Sequence, residues 1–288
     1  MNSMLASETL KDMTGESRPD RGDGITASSV EEAYRSSSPH ATASKLGIVI
    51  PCYNESARLR VDEFENFLRT DPMQCTLIFV DDGSRDQTIA VLESIRMGHE
   101  KRVVVLRQAV NRGKAEAVRC GMSYAFSQHL PFAGFWDADL ATPLAAISSF
   151  VRLLANDPKL DMVIGARVRL LGHQIERKAS RHYAGRVFAT AASTVLRLPV
   201  YDTQCGAKLF RCTPQMRAVF EKPFLSRWIF DIEIIARYIS LMGSREEAMR
   251  GIYEFPLDTW TDVNGSKLGP FDFAKAAYEL LRIRWRYL

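Results

Sequence analysis

The chain has 288 residues, 46% hydrophobic and 25% charged with a net charge of +4, a composition that excludes fibrous and wholly disordered classes and suits a folded soluble domain. Its five cysteines (Cys52, Cys75, Cys120, Cys205, Cys212) are odd in number and form no C-x-x-C pair, which argues against a disulfide framework or zinc site and for a reducing compartment. No apolar run approaches the ~18 residues of a membrane-spanning helix, and the N-terminus lacks a signal-peptide pattern, so the expected location is cytoplasmic.

Residues 1–44 carry four basic and seven acidic side chains in a Ser-, Thr- and Gly-rich stretch without periodicity, and are expected to form a disordered tail. From residue 45 to 288 a single domain is expected. Short apolar runs predict strands at Leu46–Pro51, Thr76–Val80, Val103–Leu106, Gly134–Trp136 and Met162–Gly165. Helical spacing predicts helices over Glu55–Leu68, Gln87–Arg96, Gly113–Ser127 and Pro143–Ala155. This alternation predicts an α/β architecture: a Rossmann-like, open, mainly parallel sheet flanked by helices, with ligands beyond the carboxyl ends of the strands. The polar clusters fall at those ends: Asn54-Glu55, then Asp81-Asp82-Gly83-Ser84, then Asn111 to Lys114, then Asp137-Ala138-Asp139.

The last cluster is the most informative. The apolar Phe135-Trp136 run ends in two carboxylates two residues apart, which share a face if the strand geometry persists. Paired hard oxygen ligands suit a divalent cation that also holds a phosphate-bearing substrate, although an isolated D-x-D also occurs as a plain strand end or helix cap. No G-x-G-x-x-G follows the first strand, which weakens a dinucleotide reading. Acidic groups after the second strand suit a base or ribose, and Lys114 suits a diphosphate.

Further along, residues 167–211 hold nine Lys or Arg against Glu176 and Asp202 alone. Such a stretch fits a phosphorylated substrate, anionic lipid or nucleic acid, and equally a solvated helix face. Between Tyr183 and Leu198, Tyr183, Val187, Ala191 and Val195 recur at helical spacing, as an interfacial or a core helix would show. Pro256–Leu268 reads as a loop able to close over an occupied site and bring Lys267 to a diphosphate. The C-terminal Leu281–Leu288 alternates apolar residues with arginine, as a headgroup anchor or a snorkelling surface helix would.

Taken together, Ile50–Glu55, Val80–Ser84, Asn111–Lys114 and Asp137–Asp139 resemble the successive motifs of family 2 glycosyltransferases with the GT-A fold. The segments Asp202–Phe210, Arg227–Asp231, Trp260-Thr261 and Gly265–Leu268 resemble the dolichyl-phosphate β-glucosyltransferase branch, a relative of the dolichol-phosphate mannose synthases. The resemblance spans about residues 45–288. It implies a nucleotide-sugar half over 45–166 and an acceptor half over 167–288. Pro51, Tyr53, Glu55 and Asp82 would surround the nucleoside, and Asp137 and Asp139 would hold Mg²⁺ or Mn²⁺, with Asp139 the more direct ligand and a catalytic group. Lys114, Gln204 and Lys267 join the substrate-binding set. One departure from the mannose synthases is Ala141, which stands where they usually carry Gln.

The implied reaction is inverting transfer of a hexose, glucose from UDP-glucose first and GDP-mannose next, to a polyprenyl monophosphate at an anionic membrane surface, by a peripheral cytoplasmic protein. Arg167 and Arg181 would act in catalysis and Arg177 in binding, as a forked clamp on the acceptor phosphate. No nucleic-acid partner is expected, since the basic stretch lacks interleaved aromatics. Two alternatives stand beside this reading: a soluble family 2 enzyme acting on a glycan or a small phosphorylated acceptor, and a catalytically dead binding module.

Overall fold

A computed structural model describes residues 46–176, 179–262 and 270–288, apart from the side chains of 179–184 and 270–274. The expected tail over 1–44, together with Arg177, Lys267 and the side chain of Arg181, lies outside the described residues.

Seven strands form one sheet: β1 (Leu46–Cys52), β2 (Thr76–Asp81), β3 (Val103–Arg107), β4 (Phe132–Trp136), β5 (Met162–Ala166), β7 (Ala207–Arg211) and β8 (Ile252–Pro256). Their order is β3-β2-β1-β4-β7-β5-β8. All pairs are parallel except those of β7, which runs against β4 and β5. The central strands are apolar along their whole length because helices cover both faces. The order reverses between β1 and β4, which opens a crevice at their carboxyl ends.

The helices of the first half are α1 (Val61–Thr70), α2 (Thr88–Gly98), α3 (Lys114–Ser127) and α4 (Ala146–Asn156). Helix α3 lies directly on β1, where any side chain at Gly121 would overlap Val49. The first helix begins at Val61 rather than Glu55, because the intervening chain is tied elsewhere. Asn54 has a left-handed φ of 52°, the Glu55 N–H donates to Thr88 Oγ1 at 2.7 Å, and the Ser56 hydroxyl donates to Asp86 at 2.6 Å. The resulting loop brings Glu55 to the crevice.

The second half adds α5 (Ala179–Leu196), α6 (Pro214–Glu221), α7 (Phe230–Met242), α8 (Arg245–Arg250) and α9 (Pro270–Tyr287). Helix α7 is the spine of this half, buried from Phe230 to Ile239. Of the stripe of Val187, Ala191 and Val195, only Val195 packs against the core. Ala189, Ala192 and Leu196 face it, while Val187 and Ala191 are exposed. A separate ribbon pairs β6 (Gln174–Glu176) with β9 (Thr259–Thr261). The segment expected as a free lid is therefore docked over its first part: Leu257 N–H donates to Ala166 O, and Trp260 is buried beneath the Arg167 guanidinium at 5.3 Å. Residues 263–268 of that segment lie outside the described residues.

The β4–β7 contact is close at Gly134, where a side chain would overlap the Lys208 carbonyl. Gly134→Ala should therefore lower stability by about 1–3 kcal/mol or more, as overpacking does. Gly98→Ala, at a helix end with open space around it, should be neutral or gain about 0.4–1 kcal/mol from the unfolded state. Urea unfolding of both variants checks the contrast.

Candidate active site

Four loops meet at the β1/β4 crevice. After β2, Asp82 is buried, and its two carboxylate oxygens accept the N–H groups of Arg112 at 2.7 Å and Gly113 at 2.8 Å. That clamp presents Lys114 at the start of α3. Gly113 has a φ of +95°, and a Cβ there would lie 2.6 Å from Arg227 Nε. Arg227 in turn donates to Asn111 Oδ1 at 2.8 Å. Asp82, expected beside the nucleoside, thus acts first as a strut that shapes the Asn111–Lys114 loop. Pro51 and Tyr53 lie at the end of β1, with Tyr53 exposed toward solvent.

After β4 the chain does not continue as a strand. Leu140 N–H closes a turn onto Asp137 O at 3.1 Å, and Leu140 takes a left-handed φ of 51°. Asp137 and Asp139 therefore converge through a turn, not through strand alternation. Arg60 fastens the turn from across the crevice, donating to the carbonyls of Asp139 at 3.0 Å and Leu140 at 2.7 Å. Asp139 Oδ1 accepts the Ala141 N–H at 3.0 Å, and its other oxygen has no protein partner among the described residues. Asp137 N–H donates to Gly206 O at 2.9 Å, and a Cβ at Gly206 would overlap the Asp137 carboxylate.

The charges around this turn are tightly interdependent. Burial raises the Asp139 carboxyl and the charge on Asp137 raises it further, so it titrates above the usual aspartate value despite Ala141 N–H, Lys114 and Arg58. Burial likewise lifts Glu55 against its ion pair with Arg58, with Asp139 and Asp137 adding to the effect. Lys114 Nζ pairs with Asp137 Oδ1 at 2.5 Å. Burial pulls its ammonium down, but Asp137, Asp231 and Asp139 outweigh that and hold its pKa above the ordinary lysine value. Behind it, the fully buried Lys208 bridges Asp231 at 2.5 Å and the Cys205 carbonyl at 2.6 Å.

The acceptor-side residues are arranged differently from the expected clamp. Arg167 is engaged with Asp202: Nε donates to Oδ2 at 2.6 Å and Nη2 to Oδ1 at 2.8 Å. Burial raises the Asp202 carboxyl, but Arg167 overrides this and holds it down at about 2. Arg167, expected to help clamp the acceptor phosphate, is thus half of a buried pair. Beside it lies a cavity of about 50 Å³ bordered by Arg186, Tyr201, Thr203 and Gln204. Thr203 Oγ1 and Gln204 Nε2 are buried there without hydrogen-bond partners among the described residues. Arg186 stacks on Tyr201 at 3.9 Å, and Arg211 is spent on the Leu160 and Asp157 carbonyls. Much of the basic surplus of this half is internal wiring.

The structure therefore gathers Glu55, Lys114, Asp137 and Asp139, sets Arg167 and Gln204 to one side of them, and turns Asp82 toward the loop. Arg60, Gly206, Lys208, Arg227 and Asp231 also belong to the site and were not singled out from the sequence. Lys208 and Asp231 stand within recognised motifs, but their pairing depends on a strand direction that spacing does not reveal. Among the described residues no three His, Cys, Asp or Glu side chains form a metal cluster. Two half-buried carboxylates with an unpartnered oxygen fit a hard divalent cation whose remaining positions come from a diphosphate and water.

The family model described as Glycosyl transferase family 2 matches residues 47–221. Dolichyl-phosphate beta-glucosyltransferase of Drosophila melanogaster is 33% identical over 267 residues, covering 85% of this chain and 76% of that protein. The protein of the same name from Homo sapiens is 32% identical, with coverage of 85% and 76%. Among solved structures, glucosyl-3-phosphoglycerate synthase from Mycobacterium tuberculosis with Mn²⁺, UDP-glucose and phosphoglyceric acid superposes with a TM-score of 0.62, covering 93% of this chain and 86% of that one. At 16% identity that likeness establishes the fold alone.

Two outcomes follow from the site geometry. Gly206→Ala should displace the Asp137 carboxylate and weaken metal-dependent nucleotide binding, measured by titration calorimetry, while the unfolding midpoint changes far less. The Asp202 carboxyl titrates lower folded than unfolded, so its contribution is complete above the unfolded value of ~3.9 and is lost as pH falls toward about 2. That contribution is roughly 2 kcal/mol at neutral pH. Asp202→Asn should flatten this part of the acid-stability profile and, by leaving Arg167 buried without its counter-ion, cost about 3–5 kcal/mol at neutral pH.

Proposed function

The chain belongs to glycosyl transferase family 2, and from that premise we propose that it moves glucose from UDP-glucose to a dolichyl or other polyprenyl monophosphate at an anionic membrane surface. The observation that carries this reading is the extent of the likeness. Similarity to dolichyl-phosphate beta-glucosyltransferases covers 85% of the chain, well beyond the stretch matched by the family model. It therefore includes the acceptor half, where substrates within such a family diverge.

The geometry supports the same chemistry. Asp137 and Asp139 would hold Mg²⁺ or Mn²⁺, which neutralises charge on the departing nucleoside diphosphate. Lys114, balanced between Asp137 and Asp231, is placed to exchange a carboxylate partner for a diphosphate oxygen. The acceptor phosphate has a second pKa near ~6 and is mostly dianionic at neutral pH, so its oxygen is nucleophilic without a strong general base. That oxygen attacks the anomeric carbon as the bond to UDP breaks, which inverts an α-linked donor to a β-linked product. The protein's task is to hold two anions in line while suppressing their repulsion. Lys114 serves one anion; Arg186, Thr203 and Gln204, with Arg177 and Arg181, serve the other, and the Arg167–Asp202 pair fixes the wall between them.

The acceptor lies in a bilayer, although no described helix is long and apolar enough to cross one. Contact from one side of the membrane is therefore the proposed mode, with the cytoplasmic leaflet the natural one for a chain of unpaired cysteines.

Incubation with UDP-glucose, GDP-mannose and UDP-N-acetylglucosamine plus polyprenyl phosphate, followed by mass spectrometry of the lipid, tests the reading. A hexose added from UDP-glucose is the expected product, and equal turnover of a small water-soluble phosphate would overturn the lipid acceptor. Asp139→Asn should reduce kcat/KM by at least roughly 100-fold, as losing a key transition-state contact does. Excess chelator should abolish transfer by the parent enzyme.

A further inference from the structure

We infer that the outward face of α9 is a docking surface for an anionic lipid bilayer. The inference rests on the reading above, that the acceptor is a membrane lipid, and names the part of the molecule that meets the membrane.

Helix α9 packs against α7 and α5. Its inward face is filled by Ala276, Leu280 and Ile283, and its Glu279 is buried and accepts the Ser226 hydroxyl at 2.6 Å. The opposite face should be polar if water is all it meets. Instead it carries Tyr278, Leu281 and Trp285, exposed by 63%, 62% and 91%. At about 100° per residue these three fall within roughly 60° of arc, directly away from the buried side. Three large apolar side chains aligned on a second face, two of them aromatic with a polar edge, are what a headgroup layer accommodates.

The charges on the helix select the partner. Lys275, Arg282, Arg284 and Arg286 are all exposed, and no carboxylate between residues 275 and 288 is, because Glu279 points inward. Arg282 lies over the Tyr278 ring at 5.8 Å. By helical projection Arg282 and Arg286 border the apolar stripe on one side and Arg284 on the other. A second copy of the chain is a poor occupant: a twofold contact through this stripe sets arginine against arginine with no exposed acidic side chain among residues 275–288 to pair. An anionic bilayer supplies both requirements, acyl chains for Trp285 and Leu281 and phosphates for the flanking arginines. The position suits the reaction, since α9 packs on α5, and α5 supplies Gly185, Arg186, Phe188 and Ala189 to the acceptor-side cavity.

Flotation of the full chain with vesicles of phosphatidylcholine alone or mixed with phosphatidylglycerol tests the surface without requiring turnover. The parent protein should bind the mixed vesicles and lose binding as salt rises. Removing arginines in the triple variant Arg282→Ala, Arg284→Ala, Arg286→Ala should weaken binding roughly fivefold per residue. Leu281→Glu with Trp285→Glu should weaken it on both vesicle types. Calorimetric UDP binding and the thermal midpoint of both variants should match the parent. Parent-like binding of either variant to mixed vesicles overturns the inference, as does a dimer in ultracentrifugation that Trp285→Glu converts to monomer. If no lipid is glucosylated by the parent but flotation still depends on these side chains, the acceptor assignment fails and the docking surface stands.

Discussion

The organising constraint is the insertion of β7, the lone strand running against its neighbours, between β4 and β5. It is possible because Gly134 lets the two backbones approach and because Lys208, facing inward from the middle of β7, meets Asp231 at the start of α7. A buried ion pair of this kind adds little to net stability, yet removing either partner strands a charge in the core, so it specifies one arrangement. With β7 in place, Gly206 abuts the Asp137 carboxylate and Asp202 reaches Arg167. The strand thereby links the turn that carries Asp137 to the Arg167–Asp202 pair.

The site is a file of alternating charge: Asp139 and Asp137, then Lys114, then Asp231, then Lys208. Each member is stabilised by the next, which explains why burial does not neutralise Lys114. The carboxylates at the open end carry the cost, since burial and then Asp137 raise Asp139, and burial, with Asp139 and Asp137 adding to it, raises Glu55. Negative charge concentrated at the mouth with its compensation behind is the arrangement that would suit the divalent cation of the proposed reaction.

The basic residues of 167–211 divide into two classes that composition does not separate. Arg186, held at the Tyr201 carbonyl and ring, borders the cavity beside Gln204, whereas Arg167, Lys208 and Arg211 are committed to Asp202, Asp231 and main-chain carbonyls. Their role is to hold the acceptor wall in shape. An exposed cationic surface with apolar company lies on α9, where arginine and aromatic side chains share one face.

Several features were legible from residues alone. Short apolar runs and helical spacing located the strands through β5 and the helices between them, because a buried parallel sheet demands continuous apolar runs. The positions of Glu55, Lys114, Asp137 and Asp139 at strand ends predicted their convergence, since that is where an α/β crevice opens. Spacing did not reveal the late start of α1, which depends on Thr88 and Asp86 capturing the Glu55 and Ser56 backbone from 33 and 30 residues away. It did not reveal the commitment of Arg167 to Asp202 across 35 residues, or the turn that gathers the two aspartates. A sequence records which side chains are charged and which are apolar; which charge is already neutralised is decided only when distant segments meet, and here the reversed direction of β7 made that choice.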